Sequence, residues 1–276
     1  MPTTDKQFIF VHIPKTAGTT FTLALSRQFK FRKKIAVYID KPGQSYSKYT
    51  PEFLEKFDLV FGHFPFHTQK TKNDPVYYTF LRKPRERLLS GYKYIKGDGI
   101  HGVKQKVNVA DYSLKDFLKQ GLVKKADNLM VRYLSGNMEK DYLTIDESDL
   151  KTAITNFDAY FSVFGLTEYF DESLVLLAGH MKWAPLYYLQ ENLSDYKIDK
   201  KELDEETEKF ILACTKFDAI LYKHADERFL KIMESKKEMI EKGLIELKEG
   251  NEKKKTILKL RNKGSLLINT IVRKLK

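Results

Sequence analysis

The sequence predicts an α/β fold, a three-layer arrangement with a central parallel sheet flanked by helices and a helical C-terminal half. Three observations point there. Short apolar runs of strand length recur at Phe8–Ile13, Lys34–Ile39, Asp58–Gly62 and Val76–Leu81. Segments of helical character follow several of them, and strands alternating with helices imply a parallel sheet. The second half then turns mainly helical.

The elements follow in order. Phe8–Ile13 opens the sheet, and Phe21–Phe29 is the first helix. After the second strand, Pro42 to Pro51 is a polar loop. Thr50–Phe57 is a short helix, with Thr50 able to cap it, Pro51 suited to the first helical position and Glu52 in the first turn. Asp58–Gly62 ends at His63, Val76–Leu81 ends at Arg82, and Pro84–Ile95 is the helix beyond. Helices are expected at Leu114–Gly121, Ala126–Leu134, Glu147–Phe157, Phe170–Trp183 and Asp204–Met239. A strand at Tyr160–Leu166 interrupts them.

Residues 1–230 read as the main domain and 231–276 as a basic helical C-terminal extension. That extension holds fourteen Lys or Arg against six Glu. Its interrupted apolar stripe suits a helix packed on the body or on a partner. Leu266–Lys276 is amphipathic enough for a peripheral membrane contact.

At 276 residues, 42% hydrophobic and 13% aromatic, the chain can bury a sizeable core. The lone Cys214 excludes an intrachain disulfide and a cysteine-based zinc site, and its apolar helical setting reads as a buried, inert thiol. The polar N-terminus has no signal-peptide pattern, and no apolar run reaches ~18 residues, so no transmembrane helix is expected and the location expected is cytoplasmic, with room for a membrane-peripheral one. A net charge of +12 suits anionic ligands such as phosphates, sulfates and acidic glycans.

The chemistry begins at Phe8–Phe21. A strand gives way to Pro14, Lys15, Thr16, Ala17, Gly18, Thr19 and Thr20, and then to a helix. A helix start presents free backbone N–H groups and a positive dipole end. Gly18 allows close backbone approach, Lys15 adds a mobile charge, and Thr19 and Thr20 supply short donors. The order is not that of a Walker A loop, which places Lys after its last glycine. A second anion site lies at Thr79–Tyr92. Arg82 leaves a strand and Ser90 follows eight residues on, with Arg85 and Arg87 adding charge. Lys15, His63 and Arg82 all follow strand ends, and in a parallel sheet those ends share one edge, where ligands bind.

His12–Phe21 resembles the 5′-phosphosulfate loop of the sulfotransferases, and Leu81–Tyr92 resembles their 3′-phosphate motif, closest to the heparan sulfate 2-O/6-O type. Asp127–Gly136 and Phe164–Ser173 resemble further family segments. The resemblance spans roughly residues 8–180. It implies a P-loop-like fold and 3′-phosphoadenosine 5′-phosphosulfate (PAPS) as donor, held by residues 15–20, Arg82 and Ser90, with no metal. It also implies in-line transfer to a hydroxyl, with Lys15 stabilising the leaving 5′-phosphate.

The acceptor hydroxyl needs a base. His63 is the first candidate, since an ordinary imidazole titrates near ~6.5 and the family uses a His after a comparable strand. His67 is the rival. His101 and Lys93 are further candidates for acceptor contact, and Lys96, Lys104 and Lys106 could line the same cleft for an anionic glycan. The acceptor is expected to be a glycan or another hydroxylated molecule. Two other readings stand beside this one. A P-loop kinase needs a Mg²⁺-binding carboxylate at a strand end. A basic nucleic-acid-binding protein needs basic and aromatic residues interleaved on one face.

Overall fold

The structure, a computed structural model, describes residues 6–38, 49–66, 75–97, 112–121, 126–189 and 197–274. The chain runs β1 (Phe8–Val11), α1 (Gly18–Gln28), β2 (Lys34–Tyr38), α2 (Pro51–Leu54), β3 (Leu59–His63), β4 (Val76–Leu81), α3 (Pro84–Gly97) and α4 (Leu114–Lys119). It continues through α5 (Leu129–Ser135), α6 (Glu147–Tyr160), β5 (Gly165–Leu166), α7 (Phe170–Met181), α8 (Glu205–Ser235) and α9 (Lys237–Lys274). The strands form one parallel sheet in the order β2-β3-β1-β4-β5.

The central strand is apolar on both faces because helices cover both. Phe8 and Phe10 point one way, into a cluster with Phe21, Leu25, Leu174, Leu177 and Leu247 from α1, α7 and α9. Ile9 and Val11 point the other way, towards Met130, Phe157, Leu221 and Phe229 from α5, α6 and α8. Burying each such Phe or Leu is worth about 1.5–3 kcal/mol. A third cluster joins α3, α4 and α8 through Leu88, Tyr92, Phe117 and Ile211.

The parallel α/β architecture is the one the sequence predicts, and the boundaries show where tertiary contacts overrule pattern. The strand expected over Tyr160–Leu166 shortens to Gly165–Leu166, since α6 runs on through Tyr160. α5 begins at Leu129, not Ala126. Asn128 is left-handed at φ 43 and ψ 42, and its Oδ1 accepts the Phe217 and Asp218 N–H groups at 2.9 and 3.2 Å. The single helix expected over Asp204–Met239 ends at Ser235. Lys236 leaves the helical region at φ −124 and ψ 21, and α9 then packs against the body through Ile240, Leu247 and Leu258. The side chains of Leu266–Lys276 lie outside the described residues, as does the Pro42–Pro51 loop up to residue 48.

Buried charges join these layers. Arg132 and Asp127 are both fully buried, with Arg132 Nη2 donating to the two carboxylate oxygens at 2.9 and 3.0 Å. The Asp127–Gly136 segment is therefore a core brace. Arg87 sits 3.8 Å from Asp218 and donates to the Ala126 carbonyl at 3.0 Å. Asp218 also accepts the Met130 and Val131 N–H groups, which start α5.

Burial exceeds the pull of Arg87 and raises the Asp218 carboxyl to about 6, from an ordinary 3.8. A raised carboxyl binds its proton more tightly folded than unfolded. Its contribution to stability is therefore full below pH 3.8 and is lost as pH rises towards about 6. Denaturant unfolding from pH 4 to 7 should show the wild type's advantage over Asp218→Asn shrinking across that window. A constant difference would remove Asp218 as the cause.

Candidate active site

The carboxyl ends of β1, β3 and β4 meet at one edge. The register pairs Val11 with both Gly62 and Thr79, so the residues that follow lie side by side. The Thr79 hydroxyl donates to the Val11 carbonyl at 2.8 Å, and the His12 N–H donates to the Gly62 carbonyl at 2.9 Å. Gly62 has φ +147, and a Cβ there would lie 1.8 Å from the Val37 carbonyl oxygen of β2, so this strand end needs glycine.

Beyond β1 the chain makes a strained turn. Lys15 and Ala17 take left-handed φ values of 69 and 63, at about 1–2 kcal/mol each for residues with a Cβ. The buried Thr16 hydroxyl donates to the Ile13 carbonyl at 2.8 Å and clasps the loop from inside. Arg82 Nη1 donates to the Lys15 carbonyl at 3.1 Å, tying the loop after β1 to the residue after β4. A hydrogen bond from a charged donor is worth about 1.5–3 kcal/mol, enough to offset one left-handed residue.

α1 starts without a side-chain cap, since Ala17 is its N-cap, and has no acidic residue in its first turn. This leaves the positive helix end to a ligand. Ala17 is partly exposed, Gly18 and Thr20 are buried and Thr19 is exposed. The Lys15 ammonium lies 4.2 Å from the centre of the Tyr94 ring. Tyr94 is one helical turn after the half-buried Ser90 on α3, so both stand on one face of that helix. Lys93, half-buried, is on the same helix. An uncapped helix start, two cations and a hydroxyl-bearing helix suit a ligand with two phosphate groups.

Arg85 and Arg87 are spent elsewhere, contrary to the expectation from the motif. Arg85 pairs with Glu208, and Arg87 is buried against Asp218. Arg82 is half-buried, and burial lowers its pKa from the ordinary guanidinium value against the pull of Glu168 and Glu86. Glu168, in the Phe164–Ser173 segment, accepts the Lys83 N–H at 2.9 Å and the Tyr222 hydroxyl at 2.8 Å, so that segment braces the Arg82 turn. His67, His101, Lys104 and Lys106 lie outside the described residues.

One residue at the edge escaped the sequence reading. His12 is 8% exposed and stacks on Phe10 at 5.3 Å and 13°. It also meets the His63 ring at 4.5 Å and 70°. It fills the space that Gly18 leaves, where a Cβ would lie 1.8 Å from His12 Nε2. The available signal was the rule that picked out His63, a polar ring just past a strand end. Gly18→Ala should therefore push the His12 ring off its stack and cost about 1–3 kcal/mol, read as a lowered unfolding midpoint. A neutral change would mean that the ring has room to move.

Comparison with known proteins bears on the whole chain. No match is found among curated proteins. A family model described as galactose-3-O-sulfotransferase matches residues 1–274. This supports a sulfotransferase but not the heparan sulfate 2-O/6-O type that the two motifs most resembled. With a match over essentially its full length, the chain belongs to the galactose-3-O-sulfotransferase family and is a sulfotransferase enzyme.

Proposed function

We propose that this chain moves a sulfuryl group from 3′-phosphoadenosine 5′-phosphosulfate to a galactose hydroxyl of a glycan. The single observation that carries the reading is the 3.1 Å link from Arg82 to the Lys15 carbonyl. It holds the loop suited to one phosphate against the arginine suited to the other. The family description supports a galactose acceptor, and the net charge of +12 favours anionic ligands.

In this reading Lys15 and the first-turn amides of α1 hold the 5′-phosphate, while Arg82 and Ser90 hold the 3′-phosphate. The acceptor oxygen attacks sulfur as the bond to the bridging phosphate oxygen breaks. The leaving electron pair stays on 3′-phosphoadenosine 5′-phosphate, beside Lys15. The acceptor proton passes to His63, at the end of β3 and next to the loop. In-line placement supplies most of the rate, as in phosphoryl transfer.

Two measurements test this. Calorimetry should find 3′-phosphoadenosine 5′-phosphate bound tightly in EDTA and ATP bound weakly, with Arg82→Ala losing about ten- to hundredfold in affinity for the former. Equal affinity for the two nucleotides would sink the donor assignment. Transfer of labelled sulfate from PAPS to a β-galactoside should fall about 10²–10⁴-fold in His63→Ala, with nucleotide affinity unchanged. Retained turnover would move the base to His67 or elsewhere.

A further inference from the structure

His12 is a buried titratable ring that the transfer chemistry above does not use. It is held on four sides. Its backbone N–H is bonded to the Gly62 carbonyl, the residue before His63, at 2.9 Å. One ring neighbour is Phe10, stacked at 5.3 Å, and another is the Cβ-less Gly18 of the donor loop. The last is His63 itself, at 4.5 Å and 70°. Among the described residues, His12 Nδ1 is buried with no hydrogen-bond partner. A polar atom left so costs about 1–3 kcal/mol, and Phe or Leu would pack there without that cost.

We propose that His12 is a positioning residue for His63: its ring, wedged between Phe10 and Gly18, sets the orientation in which His63 meets the acceptor hydroxyl. The proposal rests on the reading of His63 as the base. Burial, with His63 and Lys15 close by, holds His12 well below the usual histidine range. His12 thus stays neutral at working pH and leaves the acceptor proton to its neighbour. It also couples the donor loop to the base, because the same ring touches Gly18 and His63.

The test separates the base's position from the loop's integrity. In protein carrying ¹³C-histidine, the His63 ring signal is assigned by its loss in His63→Ala. In His12→Ala that signal should shift away from its wild-type position. The kcat for sulfate transfer to a β-galactoside should fall about hundredfold, and affinity for 3′-phosphoadenosine 5′-phosphate should stay within about threefold. His12→Phe, which keeps the stack and the edge contact, should restore the His63 signal and bring kcat to within about fivefold of wild type.

An unmoved His63 signal in His12→Ala overturns the proposal. So does nucleotide affinity that falls in step with kcat, which would make His12 a support for the loop alone. A His12→Phe protein as inactive as His63→Ala, with its His63 signal in place, overturns it too, since His12 would then act in the chemistry itself. Full turnover in His63→Ala sinks the base assignment instead, and the ring signals still report whether His12 orients His63.

Discussion

The parallel placement of β1 between β3 and β4 is the constraint on which the site depends. Each strand of a parallel sheet ends on the same side, so one register decides what stands beside what. Here Val11 faces Gly62 and Thr79, and the next residues are His12, His63 and, two places further along β4, Arg82. A slip of one residue would turn every side chain of β1 to the opposite face and put Phe8 and Phe10 where Ile9 and Val11 belong. The two apolar clusters prevent this, because the aromatic residues fit only against α1, α7 and α9.

The loop after β1 is held against its own preference. Two non-glycine residues in the left-handed region would unwind if nothing restrained them. The Thr16–Ile13 hydrogen bond restrains the loop from within, and the Arg82–Lys15 bond restrains it from the far strand. The ammonium on Tyr94 adds about 0.5–1 kcal/mol, less than the Arg82 bond, and directs the lysine towards α3. A braced backbone sets where that charge stands, which suits a site where charge develops on a leaving oxygen.

Much of this was legible in the residues. The apolar runs of β1, β3 and β4 are unambiguous, and a parallel sheet follows from their alternation with helices. Lys15, His63 and Arg82 stand out because each is the polar residue that ends such a run. His12 was passed over because it lies between Val11 and Ile13 and reads as part of the run. Arg87 and Asp218 are 131 positions apart, and Asn128 meets Phe217 and Asp218 across 89 and 90. Local pattern says nothing about pairs so distant, so the sequence places Arg87 with the charges of the anion site and starts α5 at Ala126. The break at Lys236 is equally tertiary, since residues on both sides suit a helix. The type of sulfotransferase was misread for a related reason: the two motifs describe how a nucleotide is held, which says little about the acceptor.

The place of the lysine explains why this loop differs from the Walker arrangement it outwardly resembles. In Walker order the lysine follows the last glycine and opens the helix, next to a hydroxyl that holds Mg²⁺. Here Lys15 comes before the helix in a left-handed turn, and its chain crosses to α3. The corresponding hydroxyl, Thr16, is turned inward onto Ile13. Glu168, just past β5, is committed to the Lys83 N–H and the Tyr222 hydroxyl. The residues that directly follow β1, β3 and β4 are His12, Phe64 and Arg82. Among the described residues, this edge presents a lysine, an arginine and a histidine pair where a nucleotide kinase would present a metal-binding carboxylate. That balance of charge suits a leaving phosphate neutralised by fixed protein cations, with an imidazole beside it to take a hydroxyl proton.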